Sequence, residues 1–204
     1  MKEKKLPSAS KNCCSTTIDT LLAILYKKSR ETVEHSKRLG EYCYAIGQRL
    51  GLSSKEMEEI SLLALLHDIG KVGIHVNILH KPGALTSGEW EEMKKHPGIG
   101  CRIARSIPEL SVISDLILSH HERWDGKGYP RGLKGEEIPL SCRILAVADS
   151  FDAMTNDRVY RKAMEKEKAI QEIESNAGTQ FDPRIAEIFV KIMTDIEMGC
   201  VSVQ

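Results

Sequence analysis

The residues of this chain that can bind metal ions or move protons are concentrated in one part of it. All seven histidines lie between positions 35 and 121. They are His35, His67, His75, His80, His96, His120 and His121. His67-Asp68 follows the apolar run 62–66, and Asp149 follows the apolar run 144–148. Taken singly, each such residue is most often an ordinary core histidine or capping carboxylate. Together they would be costly to bury unpaired, and a divalent cation is the simplest common compensation.

The donor types indicate what chemistry this metal site would perform. Imidazole and carboxylate groups without a nearby cysteine are typical of a hydrolytic or redox metal site rather than a structural zinc site. Asp68 can bridge two ions, and a two-metal centre is the usual apparatus for phosphodiester hydrolysis. Lys71, about one turn after His67, can supply positive charge to a phosphate. A solvated lysine at a helix C-terminus is the alternative interpretation.

The elements that must position these residues are predicted to be helices. Apolar residues recur at helical spacing, and capping boxes occur at Ser53/Glu56 and Thr86/Glu89. Helices are predicted over about 30–50, 53–70, 140–154 and 165–177, with another starting at Pro183. Pro97 predicts a break at His96. The glycine-rich stretch 122–139 predicts a long loop, either structured or mobile, after the His120-His121 pair. Since no alternating strand pattern occurs, the sequence predicts an all-α fold.

Composition limits the classes of partner. The chain has 204 residues, with 29 Lys+Arg against 29 Asp+Glu and 41% hydrophobic residues. A neutral chain gives no electrostatic case for binding DNA, RNA or an anionic membrane. No apolar run approaches the length of a membrane span, and the first residues lack the apolar core of a secretory signal. Six cysteines without a C-x-x-C pair favour a reduced, cytoplasmic protein. We expect a flexible tail over 1–16 and one domain over 17–204.

The order of the motifs resembles the HD-GYP family, a branch of the HD superfamily of metal-dependent phosphohydrolases. His67-Asp68 lies within LLHDIGKVGI, and Gly128-Tyr129-Pro130 lies within HHERWDGKGYPRGL. The resemblance continues through ETVEHSKR, KPGALTSGEWEEMKKHP, IPLSCRILAVADSFDAMTNDRVYRKAM and AGTQFDP, and covers about residues 31–182. A lone His-Asp pair carries little information, whereas this ordered set is specific. The resemblance implies a single helical HD-superfamily domain.

The resemblance also implies which residues hold the metal ions. The implied ligands are His35, His67, Asp68 and Asp149, shared across the superfamily, and His96, His120 and His121, typical of HD-GYP proteins. Asp68 is expected to be the bridge. Glu31, four residues before His35, matches a glutamate that accompanies a third metal in some members. We therefore expect two or three divalent ions, and the ligand mix suits iron or manganese better than zinc.

Other matching positions are expected to contact substrate or a partner. Lys71 matches the phosphate-contacting lysine of the family. The positions where family members contact the dinucleotide are Asp152, Arg158 and Arg161. Gly128 and Pro130 are turn-forming residues that shape the loop. Tyr129 is expected to contact the ligand or to serve, with Gly128 and Pro130, as a docking point for a partner protein.

A few positions fall outside this pattern. His75 and His80 are expected to be ordinary loop residues. Trp90 and Trp124 could each pack in the core or stack on a base, and core packing is the favoured expectation for Trp90. Members commonly have Pro-Asp where this chain has His75-Val76, and proline where it has Val159. These departures concern substrate affinity and the geometry of the loop over the site, because neither touches an expected metal ligand.

The function implied is hydrolysis of cyclic di-GMP to pGpG, and then to GMP, in bacterial second-messenger signal transduction. A hydroxide bridging the metals is expected to attack phosphorus, with Asp68 and Lys71 as catalytic residues. One alternative is a cyclic-dinucleotide receptor or protein-docking module that does not hydrolyse. Another is a phosphohydrolase acting on a different nucleotide, such as cyclic GMP-AMP. A homodimer, or a larger protein carrying sensory domains, remains open.

Overall fold

Helices make up the regular structure of the computed structural model, which describes residues 9–29, 33–157 and 162–197. The α-helices are α1 (Ala9–Lys28), α2 (Val33–Leu50), α3 (Ser54–Leu66), α4 (Val76–Leu79), α5 (Ser87–Met93), α6 (His96–Arg105), α7 (Ser114–Ser119), α8 (Leu140–Thr155), α9 (Lys166–Ser175) and α10 (Pro183–Glu197). Short 3-10 helices cover Ile69–Gly73, Pro108–Ile113 and Gly135–Glu137. Within the described residues the regular structure is entirely helical, which confirms the predicted fold class. None of the described helices is long and apolar enough to cross a bilayer.

Helix α8 lies at the centre of the core. It packs against α2, α3, α9 and α10, and residues on most of its circumference are buried. Phe151 of α8 makes edge-to-face contacts with Tyr42 of α2 and Phe189 of α10, at centroid distances of 5.5 and 5.0 Å. Burying a side chain of this size stabilises a fold by about 1.5–3 kcal/mol. The core therefore fixes α8, which carries Asp149 and Asp152.

The helix starts follow the capping residues in the sequence. The Glu56 carboxylate accepts a hydrogen bond from Ser53 N at 2.8 Å, and the Glu89 carboxylate accepts one from Thr86 N at 2.7 Å. Both predicted capping boxes are therefore confirmed. Asp182 caps α10 by accepting a hydrogen bond from Arg184 N at 2.9 Å.

Other boundaries differ from the sequence predictions. Helix α1 begins at Ala9, within the segment expected to be a flexible tail. Helix α3 ends at Leu66, and the chain continues through His67-Asp68 into the 3-10 helix Ile69–Gly73. The predicted break at His96 is present, because α6 starts there with Pro97 in its first turn. The one-turn helix α4 lies where a loop was expected.

Close packing joins the 3-10 helix Ile69–Gly73 to α6. A Cβ atom on Gly70 would lie 1.8 Å from the His96 carbonyl oxygen and 2.6 Å from Gly100 N. A Cβ atom on Gly73 would lie 2.9 Å from side-chain atoms of Ile99. Only glycine permits this approach, which brings the start of α6 against the residues that follow Asp68.

The glycine-rich segment is a structured loop anchored by the buried carboxylate of Glu122. Its two oxygens accept hydrogen bonds from Arg131 N at 2.7 Å and Leu133 N at 3.0 Å. Tyr129 N also donates a hydrogen bond to the His121 carbonyl oxygen at 3.2 Å. The sequence left open whether this loop is structured or mobile, and these contacts favour a structured loop.

A matched pair of glycine variants tests the packing onto α6. We expect Gly70→Ala to lower the free energy of unfolding by about 1–3 kcal/mol or more, because the added methyl group meets backbone atoms. Gly98→Ala, on α6 itself, is the control, because its nearest contact would be Arg102 Nη1 at 3.7 Å. Its free energy of unfolding should rise by roughly 0.5–1 kcal/mol, because alanine has a higher helix propensity than glycine. Urea unfolding measures both, and a Gly70→Ala protein as stable as the parent would contradict this packing.

Candidate metal centre

The structure brings histidines and aspartates from separate helices into two adjacent groups. The first cluster consists of His35, His67 and Asp149, and the second cluster consists of Asp68, His96, His120 and His121. Within each cluster, one potential ligand atom per residue lies within 4.8 Å of the others. These are the seven residues that the family resemblance implies as metal ligands, apart from Glu31.

Helix ends supply most of these side chains. His35 lies in the first turn of α2, and Asp149 lies within α8. His67 and Asp68 link α3 to the following 3-10 helix, and His96 is the first residue of α6. His120 caps the C-terminus of α7. The apolar bodies of α3, α7 and α8 are buried in the core, so their polar ends meet on one side of it.

Asp68 lies between the two clusters. Its Oδ1 atom is 3.0 Å from His96 Nε2 and 3.8 Å from His120 Nε2, both in the second cluster. Its Oδ2 atom is 3.2 Å from Nε2 of His67, in the first cluster, and accepts a hydrogen bond from Lys71 Nζ at 2.6 Å. Each carboxylate oxygen therefore faces a different cluster, which is the arrangement a bridging ligand needs.

The charge of Asp68 is maintained despite its burial. Burial alone would raise the pKa of this carboxyl, but the Lys71 ammonium, 2.6 Å from Oδ2, is the largest opposing influence. The pKa of Asp68 therefore lies well below its usual range. The residue is therefore an anion at neutral pH.

Backbone contacts fix the tautomers of three histidines. In each, Nδ1 lies against the carbonyl oxygen three residues earlier in the chain. The pairs are His67–Ala64 at 3.2 Å, His96–Met93 at 2.8 Å and His120–Ile117 at 2.6 Å. Because a carbonyl oxygen can only accept, Nδ1 carries the hydrogen in the neutral ring and Nε2 carries the lone pair. This is the usual way in which proteins orient a metal-binding imidazole.

The lone pairs of the second cluster face one another at short range. His96 Nε2 lies 3.3 Å from His120 Nε2 and 3.0 Å from Asp68 Oδ1. Burial, reinforced by the neighbouring imidazoles, lowers the pKa of His120 well below its usual value. Burial, reinforced by the neighbouring His96 ring, lowers the pKa of His121 to about 3. Protonation of these two rings therefore does not relieve the repulsion at neutral pH, whereas a divalent cation would. The donor set fits a metal ion.

Asp152 is held by neighbouring side chains of the protein. Its side chain is buried, and Oδ2 lies 2.7 Å from His35 Nδ1. Arg38 and Asn156 donate further hydrogen bonds to the same carboxylate. Burial would raise the pKa of Asp152, but the hydrogen bonds from His35 and Arg38 lower it. Asp152 therefore orients His35, whose Nε2 lies 3.8 Å from Asp149 Oδ1. Its expected contact with the dinucleotide stays a prediction.

The remaining predicted site residues are placed as follows. Glu31, Arg158 and Arg161 lie outside the described residues. Tyr129 packs its ring on His121 at a centroid distance of 4.9 Å. Gly128 shapes the loop, since a Cβ atom there would lie 2.4 Å from Arg123 N, and Pro130 follows in the exposed part of the turn.

His75, His80 and Trp90 lie outside both clusters. His75 caps α4 by accepting a hydrogen bond from Asn77 N, and neither it nor His80 belongs to a cluster. The expectation that Trp90 packs in the core is wrong, because this residue is 46% exposed. Helix α5 is short and holds Trp90 at the surface. The spacing of apolar residues in the sequence does not by itself show that this side chain is exposed.

The chain is similar to known proteins over most of its length. A family model described as "HD domain" matches residues 19–185. A protein named cyclic di-GMP phosphodiesterase, from Thermotoga maritima, is 48% identical over 171 residues, which is 83% of this chain and 46% of that protein. The 3'3'-cGAMP-specific phosphodiesterase 2 of Vibrio cholerae is 39% identical over 166 residues, covering 80% of this chain and 32% of that protein. The chain thus spans half or less of the length of these relatives.

A solved structure shares the fold. The cyclic GMP-AMP phosphodiesterase V-cGAP3 of V. cholerae superimposes with a TM-score of 0.68 at 24% sequence identity. The match covers 89% of this chain and 49% of that chain. At this identity the likeness shows the fold alone.

Metal binding should stabilise the folded protein. A ligand that binds only the native state adds about 2.7 kcal/mol at a hundredfold excess over its Kd. We expect Mn²⁺ to raise the Tm of the metal-stripped protein, and His96→Ala to lose most of that rise relative to its own metal-free Tm. His75→Asn is the control, since it retains a capping side chain outside both clusters. If neither Mn²⁺ nor Fe²⁺ changes the Tm of the parent protein, the proposed metal site is contradicted.

The role of Asp152 can be tested through metal affinity. We expect Asp152→Asn to weaken Mn²⁺ binding by about 10–100-fold, because the carboxylate that orients His35 is lost. Calorimetric titration measures this affinity, and unfolding of the metal-free variant reports its stability. Asp115→Asn, which removes an exposed ion pair with Arg105, is the control and should bind as the parent does. Equal affinity in Asp152→Asn and the parent would exclude the orienting role.

Proposed function

The chain belongs to the HD domain family, in its HD-GYP branch, and from that premise we propose that it is a metal-dependent cyclic-dinucleotide phosphodiesterase. The observation that supports this most directly is the position of Asp68, with one oxygen towards each cluster. We further propose cyclic di-GMP as the substrate, since the relative at 48% identity carries that name. Ring opening gives pGpG, and a second cleavage gives GMP.

Two metal ions are part of this proposal. The first and second clusters would each hold one ion, with Asp68 shared between them. When bound, such ions lower the pKa of water and neutralise the charge that develops on the phosphate. Imidazole and carboxylate ligands suit iron or manganese, and we propose these metals. A third ion at Glu31 stays a prediction from the sequence.

Among the residues that the structure describes, Lys71 is the group best placed to orient the diester. Its ammonium lies 2.6 Å from Asp68 Oδ2, at the boundary between the clusters, and its side chain is 23% exposed. It can therefore keep its contact with Asp68 while donating a hydrogen bond to a phosphate oxygen that approaches from solvent. A fixed cation at this point would hold the phosphate over both clusters and stabilise its charge.

Other parts of the proposal rest on the sequence resemblance. Arg158 and Arg161 are proposed to contact the dinucleotide through their forked donors. The docking of a partner protein at Gly128–Pro130, a homodimer and a cytoplasmic location likewise stay predictions. A receptor that binds without hydrolysis is disfavoured, because both clusters bring together histidine and aspartate side chains that could hold a metal ion.

A lysine variant tests the proposed activity. The metal-loaded parent should convert cyclic di-GMP to pGpG, detected by chromatography. Lys71→Met should reduce kcat/KM by about 10²–10³-fold, the usual effect of removing one donor to a developing charge. Its metal content should stay at the parent level, and Lys95→Met, from an exposed ion pair with Glu92, should behave as the parent does.

The same assay separates the alternatives. No pGpG from the metal-loaded parent would contradict the proposal. Cyclic di-GMP and 3'3'-cGAMP supplied together at equal concentration decide the substrate, because two of the relatives carry these different names. Faster loss of 3'3'-cGAMP would replace the proposed substrate while leaving the phosphodiesterase assignment in place.

A further inference from the structure

Tryptophan has the largest side chain of the amino acids, yet Trp90 is nearly half exposed. It lies in α5, which is fixed at its start by the capping box of Thr86 and Glu89 and by the ion pair of Lys81 with Glu89 at 2.5 Å. A single exposed apolar residue is common on soluble proteins and needs no explanation by itself. What distinguishes Trp90 is its connection to the second cluster.

A series of aromatic rings leads from that cluster to Trp90. The ring of His121 contacts Tyr129 at a centroid distance of 4.9 Å and an interplanar angle of 31°. Tyr129 in turn contacts Trp90 edge-to-face, at 6.1 Å and 79°. The backbone hydrogen bond from Tyr129 N to the His121 carbonyl oxygen holds the residues of these two rings next to each other. Trp90 is therefore held two ring contacts away from a proposed metal ligand.

Of the two outer rings, Trp90 has more free surface for a ligand. Tyr129 is in contact with two of the protein's own rings, His121 and Trp90, and is only partly exposed. Trp90 is 46% exposed, and its indole is larger. The sequence indicated Tyr129 as a ligand contact and offered base stacking as an alternative for Trp90. In the structure Tyr129 lies against Trp90, and Trp90 has the more exposed face.

The proposed function specifies what would reach this face. A phosphate held between the clusters is joined to its base by one ribose, so the base lies a short distance beyond the metal site. Stacking on an aromatic side chain suits any nucleobase, because every base presents a flat π-face. Resting on the proposed phosphodiesterase function, we propose that Trp90 forms a binding subsite on which a purine base of the dinucleotide stacks.

The two tryptophans of the chain allow a direct binding test. Trp124 lies elsewhere in the glycine-rich loop, with the Arg143 guanidinium 5.8 Å above its ring. In a Trp124→Phe protein loaded with Mn²⁺, tryptophan fluorescence therefore reports on Trp90 alone. GMP should quench it saturably, whereas ribose 5-phosphate, which has no base, should not. Equal effects of the two compounds, or no effect of either, would overturn the subsite.

Kinetics provide an independent test. Trp90→Ala should raise KM for cyclic di-GMP about 5- to 150-fold, the loss expected for one base–aromatic stack. Its kcat should stay close to that of the parent, because the contact is made equally in the ground and transition states. Trp90→Phe should restore most of the affinity, and Trp124→Phe should leave KM unchanged.

The outcomes separate the subsite from the enzyme assignment. An unchanged KM in Trp90→Ala would refute stacking at this residue, even if cyclic di-GMP is hydrolysed. A parent that hydrolyses no cyclic dinucleotide would refute the proposed function instead. The fluorescence titration with GMP and ribose 5-phosphate then decides the subsite by itself.

Discussion

The architecture depends on a group of buried electron-pair donors that face one another. Nε2 of His96, Nε2 of His120 and Oδ1 of Asp68 all point into one small volume, where their lone pairs repel. Removing such groups from water is unfavourable unless a positive charge joins them. Burial lowers the pKa of His120, so a proton on that ring is a poor compensator. A divalent cation is the species that makes this arrangement favourable, and the chemistry proposed for the chain follows from it.

The rest of the fold can be understood as what holds these donors in place. The hydrophobic core fixes α3, α7 and α8, while their polar ends stay at its edge. Gly70 allows the chain after Asp68 to approach the start of α6. Carbonyl oxygens at the ends of helices and Asp152 then set the orientation of the imidazoles. His35, His96 and His120 thus each have their own orienting contact, and these donors are brought together by folding before any metal binds.

Local signals in the sequence were sufficient for much of this. Ser53, Thr86 and Pro183 predicted helix starts, because the preferences of the first helical turn depend on neighbouring residues only. The motif order predicted which histidines meet. Features that depend on distant contacts were missed or misjudged: the orienting role of Asp152 requires knowing that α2 and α8 are adjacent. Likewise, the exposure of Trp90 depends on how far α5 extends from the core, and the anchoring of the loop by Glu122 depends on residues up to Leu133.

The central claim is that these clusters hold at least two divalent cations with Asp68 between them. Anomalous diffraction from crystals of the manganese- or iron-loaded protein tests it most directly, because it locates and identifies each ion. We expect one peak beside Nε2 of His96 and His120, and another beside Nε2 of His67 and Asp149, with one oxygen of Asp68 next to each. A map without peaks at these side chains, or with a single peak that does not contact Asp68, would contradict the account.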